Sequence, residues 1–116
     1  MTPEIFVDGI RRHVLEENMR MYREIFSETE RSDATDEYWK QTLELYDQLS
    51  EAQRDKLLDI MRQVLCDTLA NTLSILDGSI YAVGDVKLRL FVDGNEAPLN
   101  GGLADIFLTY EEERTK

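Results

Sequence analysis

The chain has 116 residues, 24 acidic and 13 basic, giving a formal net charge of −11. That length accommodates a single domain with a real hydrophobic core. The acidic balance argues against a nucleic-acid binder and against an anionic membrane surface, since both need clustered Lys and Arg. A basic protein partner, a cation or plain solubility each fits such a charge. No apolar segment approaches the length of a membrane span, and Met1-Thr2-Pro3-Glu4 lacks the basic start of a secretion signal. The expectation is a cytoplasmic protein forming one domain over residues 1–116.

The first helix is expected over residues 3–28. Thr2 suits the N-cap, Pro3 the first helical position and Glu4 the positive end of the dipole. Val7, Ile10, Val14, Met21 and Ile25 form an apolar stripe, which Leu15, Tyr22 and Phe26 broaden. Arg11 and Asn18 project from the same side, two polar residues aimed at apolar neighbours. After a polar loop, a second helix over residues 36–49 carries Tyr38, Trp39, Thr42, Leu45, Tyr46 and Leu49 on its apolar side.

The third helix, over residues 51–77, is the longest. Ser50-Glu51-Ala52-Gln53 reads as a capping box, and Gly78 supplies the left-handed residue that closes a helix. At ~1.5 Å per residue it would run roughly 40 Å. Residues 51–63 carry Glu51, Arg54, Asp55, Lys56, Asp59 and Arg62; residues 64–76 carry only Asp67. A helix that loses its charged side is usually covered on more sides, so the second half should be core, or core plus an interface.

Beyond Gly78 the period changes from helical to alternating. Val86, Leu88, Leu90 and Val92 alternate with Lys87, Arg89 and Phe91, and Asp93-Gly94 is a strong hairpin turn signal. A β-hairpin over residues 86–99 would set Leu90 opposite Ala97 and Leu88 opposite Leu99, with Pro98 confining the return strand to an edge. Residues 79–83 could add a short strand. Residues 103–113 fit a helix through Leu103, Ile106, Phe107 and Tyr110, and a strand equally well by count. The Glu111-Glu112-Glu113 run favours the helix. The expected fold is therefore α+β: a three-helix bundle with a long central helix, a β-hairpin and a short C-terminal helix.

No P-loop, GxGxxG, GxSxG, HExxH or paired CxxC occurs. With one histidine, His13, and one cysteine, Cys66, neither a zinc site nor a catalytic thiol has its usual companions. Asp55 and Asp59, Asp33 and Glu37, and Glu44 and Asp47 are spaced so that facing helices could hold Mg²⁺ between them. In so acidic a chain, such spacings more often mark a solvated face. No catalytic, cofactor-binding or metal-binding residue is assigned.

The most informative feature is polar but barely charged. Gln63, Asp67, Asn71 and Ser74 line one side of the long helix, where Lys and Glu are usual; such depletion of charge is typical of an interface or a lined groove. The expectation is a polar network in which Arg11 pairs with Asp67 and Asn18 bonds Asn71, fixing helix or subunit register. A dimer interface and a small-ligand pocket are the alternatives. The functional expectation is a non-enzymatic protein-interaction or regulatory module, an adaptor or an immunity-like inhibitor. It would act as a homodimer or with a protein partner, a basic one included. A metal-dependent hydrolase using helix carboxylates and a small-ligand sensor with an interhelical pocket are the rivals.

Overall fold

The computed structural model describes residues 1–114. The longest apolar and helical patterns govern it: among the described residues there are four helices and no strand. The first, α1, runs without a break through Pro3–Ile10, a π-helical stretch Arg11–Glu16, and Glu17–Glu28. Thr2 caps its start, its hydroxyl accepting the Ile5 N–H at 3.2 Å. A short 3-10 turn, Arg31–Asp33, leads to α2 (Glu37–Gln48), whose cap Asp36 accepts the Tyr38 N–H at 2.8 Å. The long helix α3 (Glu51–Asp77) opens on a formed capping box. The Ser50 hydroxyl accepts the Gln53 N–H, and the Gln53 side chain accepts the Ser50 N–H. Gly78, at φ +82°, ends it. The last helix is α4 (Leu103–Arg114).

The π-helical stretch rotates the faces of α1. Its wider turns take up more residues than regular α-helical ones, so the phase of the apolar stripe shifts at its middle. Val7, Leu15, Met19 and Phe26 are buried, while Val14 and Met21 turn outward. Leu15 then meets Leu69 and Leu73 of α3 and Leu103, Ala104 and Phe107 of α4 in one core cluster, with Val7 beside them. The charge-poor half of α3 supplies its inner face to this core.

A second packing region joins α2 to the end of α1. Phe26 and Tyr46 stack with ring centroids 4.4 Å apart, Leu43 is fully covered, and the Arg54 guanidinium lies 4.6 Å from the Tyr46 ring centroid. Arg31 grips both carboxylate oxygens of Asp47, at 2.8 and 2.7 Å, and donates to the Phe26 carbonyl. The inner face of α2 is thus Trp39, Leu43 and Tyr46; Tyr38 and Leu45, expected there, are exposed.

The expected β-hairpin over residues 86–99 does not form, and the fold is all-α rather than α+β. The turn itself is present, with the Asn95 N–H donating to the Val92 carbonyl at 3.0 Å and Gly94 at φ +88°. One backbone bond follows, Leu99 N–H to the Leu90 carbonyl at 2.8 Å, in a register two residues from the expected one. Beyond it the return chain is replaced by a side chain. The Asn100 carboxamide accepts the Leu90 N–H and donates to the Leu88 carbonyl, each at 2.8 Å, filling positions a second strand would occupy. Pro98 has no N–H to offer a ladder. No layer covers Val86 and Leu88, both exposed, and a hairpin without a covered face is marginal in water. The short strand over residues 79–83 is likewise not formed.

The ensemble of helices is extended. The radius of gyration is 18.0 Å, against about 13 Å for a compact chain of similar length.

Candidate functional site

Two features of α3 stand out, one facing inward and one outward. On the inner side lies Arg62, the single buried charged residue among those described. Its guanidinium donates to Glu16 at 2.8 Å, from the end of the π-helical stretch, and to Glu111 of α4 at 3.2 Å. Burial works against its charge, but the two carboxylates outweigh this and hold its pKa above the ordinary arginine value. The same hydrogen bond from Arg62 holds Glu16 below the usual carboxylate range. One cation thereby ties α1, α3 and α4 together. Cys66 sits one turn further along, its Sγ 3.5 Å from Glu111. Burial, reinforced by the Glu111 carboxylate, pushes the thiol up to about 11, so thiolate is scarce at neutral pH.

Arg62 and Cys66 form the floor of a groove between α3 and α4, of about 220 Å³, rimmed by Asp59, Gln63, Asp67 and Leu108. Gln63 and Asp67 thus belong to the groove edge, where the Gln63 amide donates to Asp67 at 2.9 Å. Asn71, further along, is exposed, and Ser74 is half-buried with its carbonyl accepting the Ser79 N–H at 2.9 Å.

The two polar stripes have separate partners. Arg11 pairs with Asp8 at 2.9 Å and approaches Glu16 at 3.7 Å, and its guanidinium lies 5.4 Å from the Tyr110 ring centroid. Asn18 donates to the Val14 carbonyl of its own helix at 2.6 Å. The Arg11–Asp67 and Asn18–Asn71 contacts expected from the sequence are replaced by these. The rotation of α1 at its π-helical stretch is the physical reason. The buried polar network is built instead on Arg62, Glu16 and Glu111. A signal for Arg62 was available: it lies seven and eleven residues before Leu69 and Leu73, on the face they share.

The outward side of α3 is the second feature. At 3.6 residues per turn, Gln53, Lys56, Ile60, Val64, Asp67 and Asn71 fall on one side, opposite Arg62, Leu69 and Leu73. Ile60 is 50% exposed and Val64 58% exposed. Lys56 and Asp67 are the two charges of this strip, so it is neutral overall in a chain of net charge −11.

One member of each of two carboxylate pairs noted in the sequence is held by a cation. Asp47 is held by Arg31, and Asp59 accepts from Lys56 at 3.2 Å. Among the described residues no group of three or more His, Cys, Asp or Glu is placed to hold a metal ion. No described helix is long and apolar enough to cross a membrane. No family model matches the chain, and no curated protein or solved structure shows significant similarity to it.

Proposed function

We propose that this chain is a non-enzymatic protein-interaction module whose docking surface is the outward side of α3. The observation that carries this reading is the neutral strip around Ile60 and Val64, two large aliphatic side chains at least half exposed on a helix whose other side is core. Interface centres are depleted in charge in this way.

The overall dimensions support a partnered state. The accessible surface is 8183 Å², whereas a compact monomer of this mass exposes about 6,500 Å². The surplus is about twice the roughly 800 Å² that a standard interface covers on each partner. The hydrolase reading draws less support, because Asp47 and Asp59 are ion-paired with Arg31 and Lys56 and the described carboxylates do not converge in a group of three or more.

The test is site-specific photocrosslinking in the native cell. A photoreactive residue at position 64 should give discrete adducts, and the same group at the exposed position 40 on α2 should not. Absence of any adduct at 64 would overturn the reading. In parallel, dialysed protein should melt at the same temperature with and without Mg²⁺ or Mn²⁺; a large saturable shift would favour the hydrolase.

A further inference from the structure

The strip on α3 is self-complementary, and we infer that its occupant is a second copy of this chain, docked antiparallel about a twofold axis level with residue 62. This rests on the reading of the strip as a docking surface and names what docks there. In an antiparallel pair centred at 62, Ile60 of one copy stands opposite Val64 of the other, and Gln53 stands opposite Asn71. The aliphatic pair lies at the centre and the amide pair at the rim, the usual arrangement of an interface core and its polar edge.

Charge decides the direction. A parallel pair would bring Lys56 to Lys56 and Asp67 to Asp67. The antiparallel pair brings Lys56 of each copy within one residue of Asp67 of the other, giving two symmetric ion pairs. Lys56 is free to do this, since its present contact with Asp59 joins side chains 71% and 69% exposed and is worth little. Charge also argues for a second copy over a basic protein. A basic partner gains nothing from a neutral strip, while two acidic copies can approach each other with least repulsion along it.

The contact would run from residue 53 to residue 71, about 27 Å of helix. Two helices touching over that length bury on the order of 1,000 Å², the lower end of specific interfaces, so the dimer should be reversible.

The experiment uses full-length chain with Cys66→Ala, into which Ile60→Cys and Val64→Cys are placed separately. Position 60 meets position 64 across the axis, whereas 60–60 and 64–64 are offset by about 6 Å along it. Disulfides need Cα atoms within roughly 7 Å. Mixing the two variants in equal amounts under mild oxidation should give the 60–64 heterodimer well beyond the twofold excess over each homodimer that random pairing yields. A heterodimer at or below twice each homodimer, or no crosslink at all, would overturn the antiparallel pairing. Should Cys66→Ala destabilise the fold, wild-type protein with Ile60→Glu and Val64→Glu gives the second arm: dimer should be present in the first and lost in the second. A strictly monomeric wild type that nonetheless crosslinks from position 64 to another protein in cells would overturn the self-pairing and leave the docking surface standing. Monomer with no adduct would overturn both.

Discussion

Asp77, the last residue of α3, accepts the Ala104 N–H at 2.8 Å and so caps the start of α4 from a different helix. The same carboxylate also takes the Leu103 N–H at 3.1 Å and the Gly101 N–H at 2.7 Å. Three orphan donors are satisfied by one side chain 24 to 27 residues away in sequence. This caps the helix Leu103–Arg114, whose Leu103, Ala104 and Phe107 lie in one cluster with Leu69 and Leu73.

Replacing Asp77 by Ala should therefore act on α4 first. The expected cost is about 1–2 kcal/mol, the range for a lost N-cap. Hydrogen exchange should show the amides of Leu103 and Ala104 losing protection before those of Leu69 and Leu73. Uniform loss across all four would mean the cap is not what orders α4.

Arg62→Leu should destabilise strongly despite adding an apolar side chain to the core. It strands Glu111, whose side chain is 15% exposed, while Glu16 keeps Arg11 at 3.7 Å. Breaking a largely buried pair of this kind is expected to cost about 2–4 kcal/mol. Adding Glu111→Leu should recover part of the loss, because the unpaired carboxylate goes with it. Urea unfolding of the single and double variants measures both.

Stability should fall at both ends of the pH range, for separate reasons. Glu16 has a folded pKa below its unfolded value, so its contribution is present above roughly pH 4.3 and is lost as pH falls through the lower folded value. Cys66 has a folded pKa raised to about 11, so its contribution is present below the ordinary thiol pKa and is lost as pH rises from there toward 11. Melting curves should show Arg62→Leu flattening the acid branch and Cys66→Ala the alkaline one. A thiol reagent at neutral pH should modify Cys66 far more slowly than a free thiol.

Asn100→Ala should release residues 88–90 from the end of α3. The Asn100 amide also donates to the Leu76 carbonyl at 2.5 Å, so three contacts vanish together. The expected cost is about 1–3 kcal/mol, since the freed backbone groups are near solvent and can rehydrate. The Leu90 amide should lose its exchange protection, and far-ultraviolet circular dichroism should keep its helical signature.

The helices of this chain were legible where local rules govern them. Thr2-Pro3, the Ser50 to Gln53 box and Gly78 act through neighbouring residues, and each does what its chemistry suggests. What escaped the sequence depends on distant partners. The hairpin pattern from Val86 to Val92 has the right alternation and turn, but alternation demands a layer to cover it, and none is present. The phase of α1 was misplaced because nothing in Arg11–Glu16 announces wider turns, so Val14 was expected inside and Leu15 at the margin. On α2, the buried Leu43 lies beside more conspicuous aromatics that dominate the sequence pattern. Of the polar residues singled out, Gln63 and Asp67 meet along α3, whereas Asn18 bonds its own helix and Arg11 pairs with Asp8 there and lies over Tyr110 of α4. Arg62 is one charge among many in the first half of α3, and its partners there, Glu16 and Glu111, lie far away in sequence.

The central claim is that the side of α3 bearing Ile60 and Val64 joins molecules rather than stabilising one. Sedimentation velocity over a concentration series, comparing wild type with Ile60→Glu, Val64→Glu, tests it most directly. The account expects wild type to shift from monomer toward dimer with rising concentration, while the double variant stays monomeric and melts at an unchanged temperature. A double variant that unfolds, or a wild type and variant that sediment alike at every concentration, would contradict it.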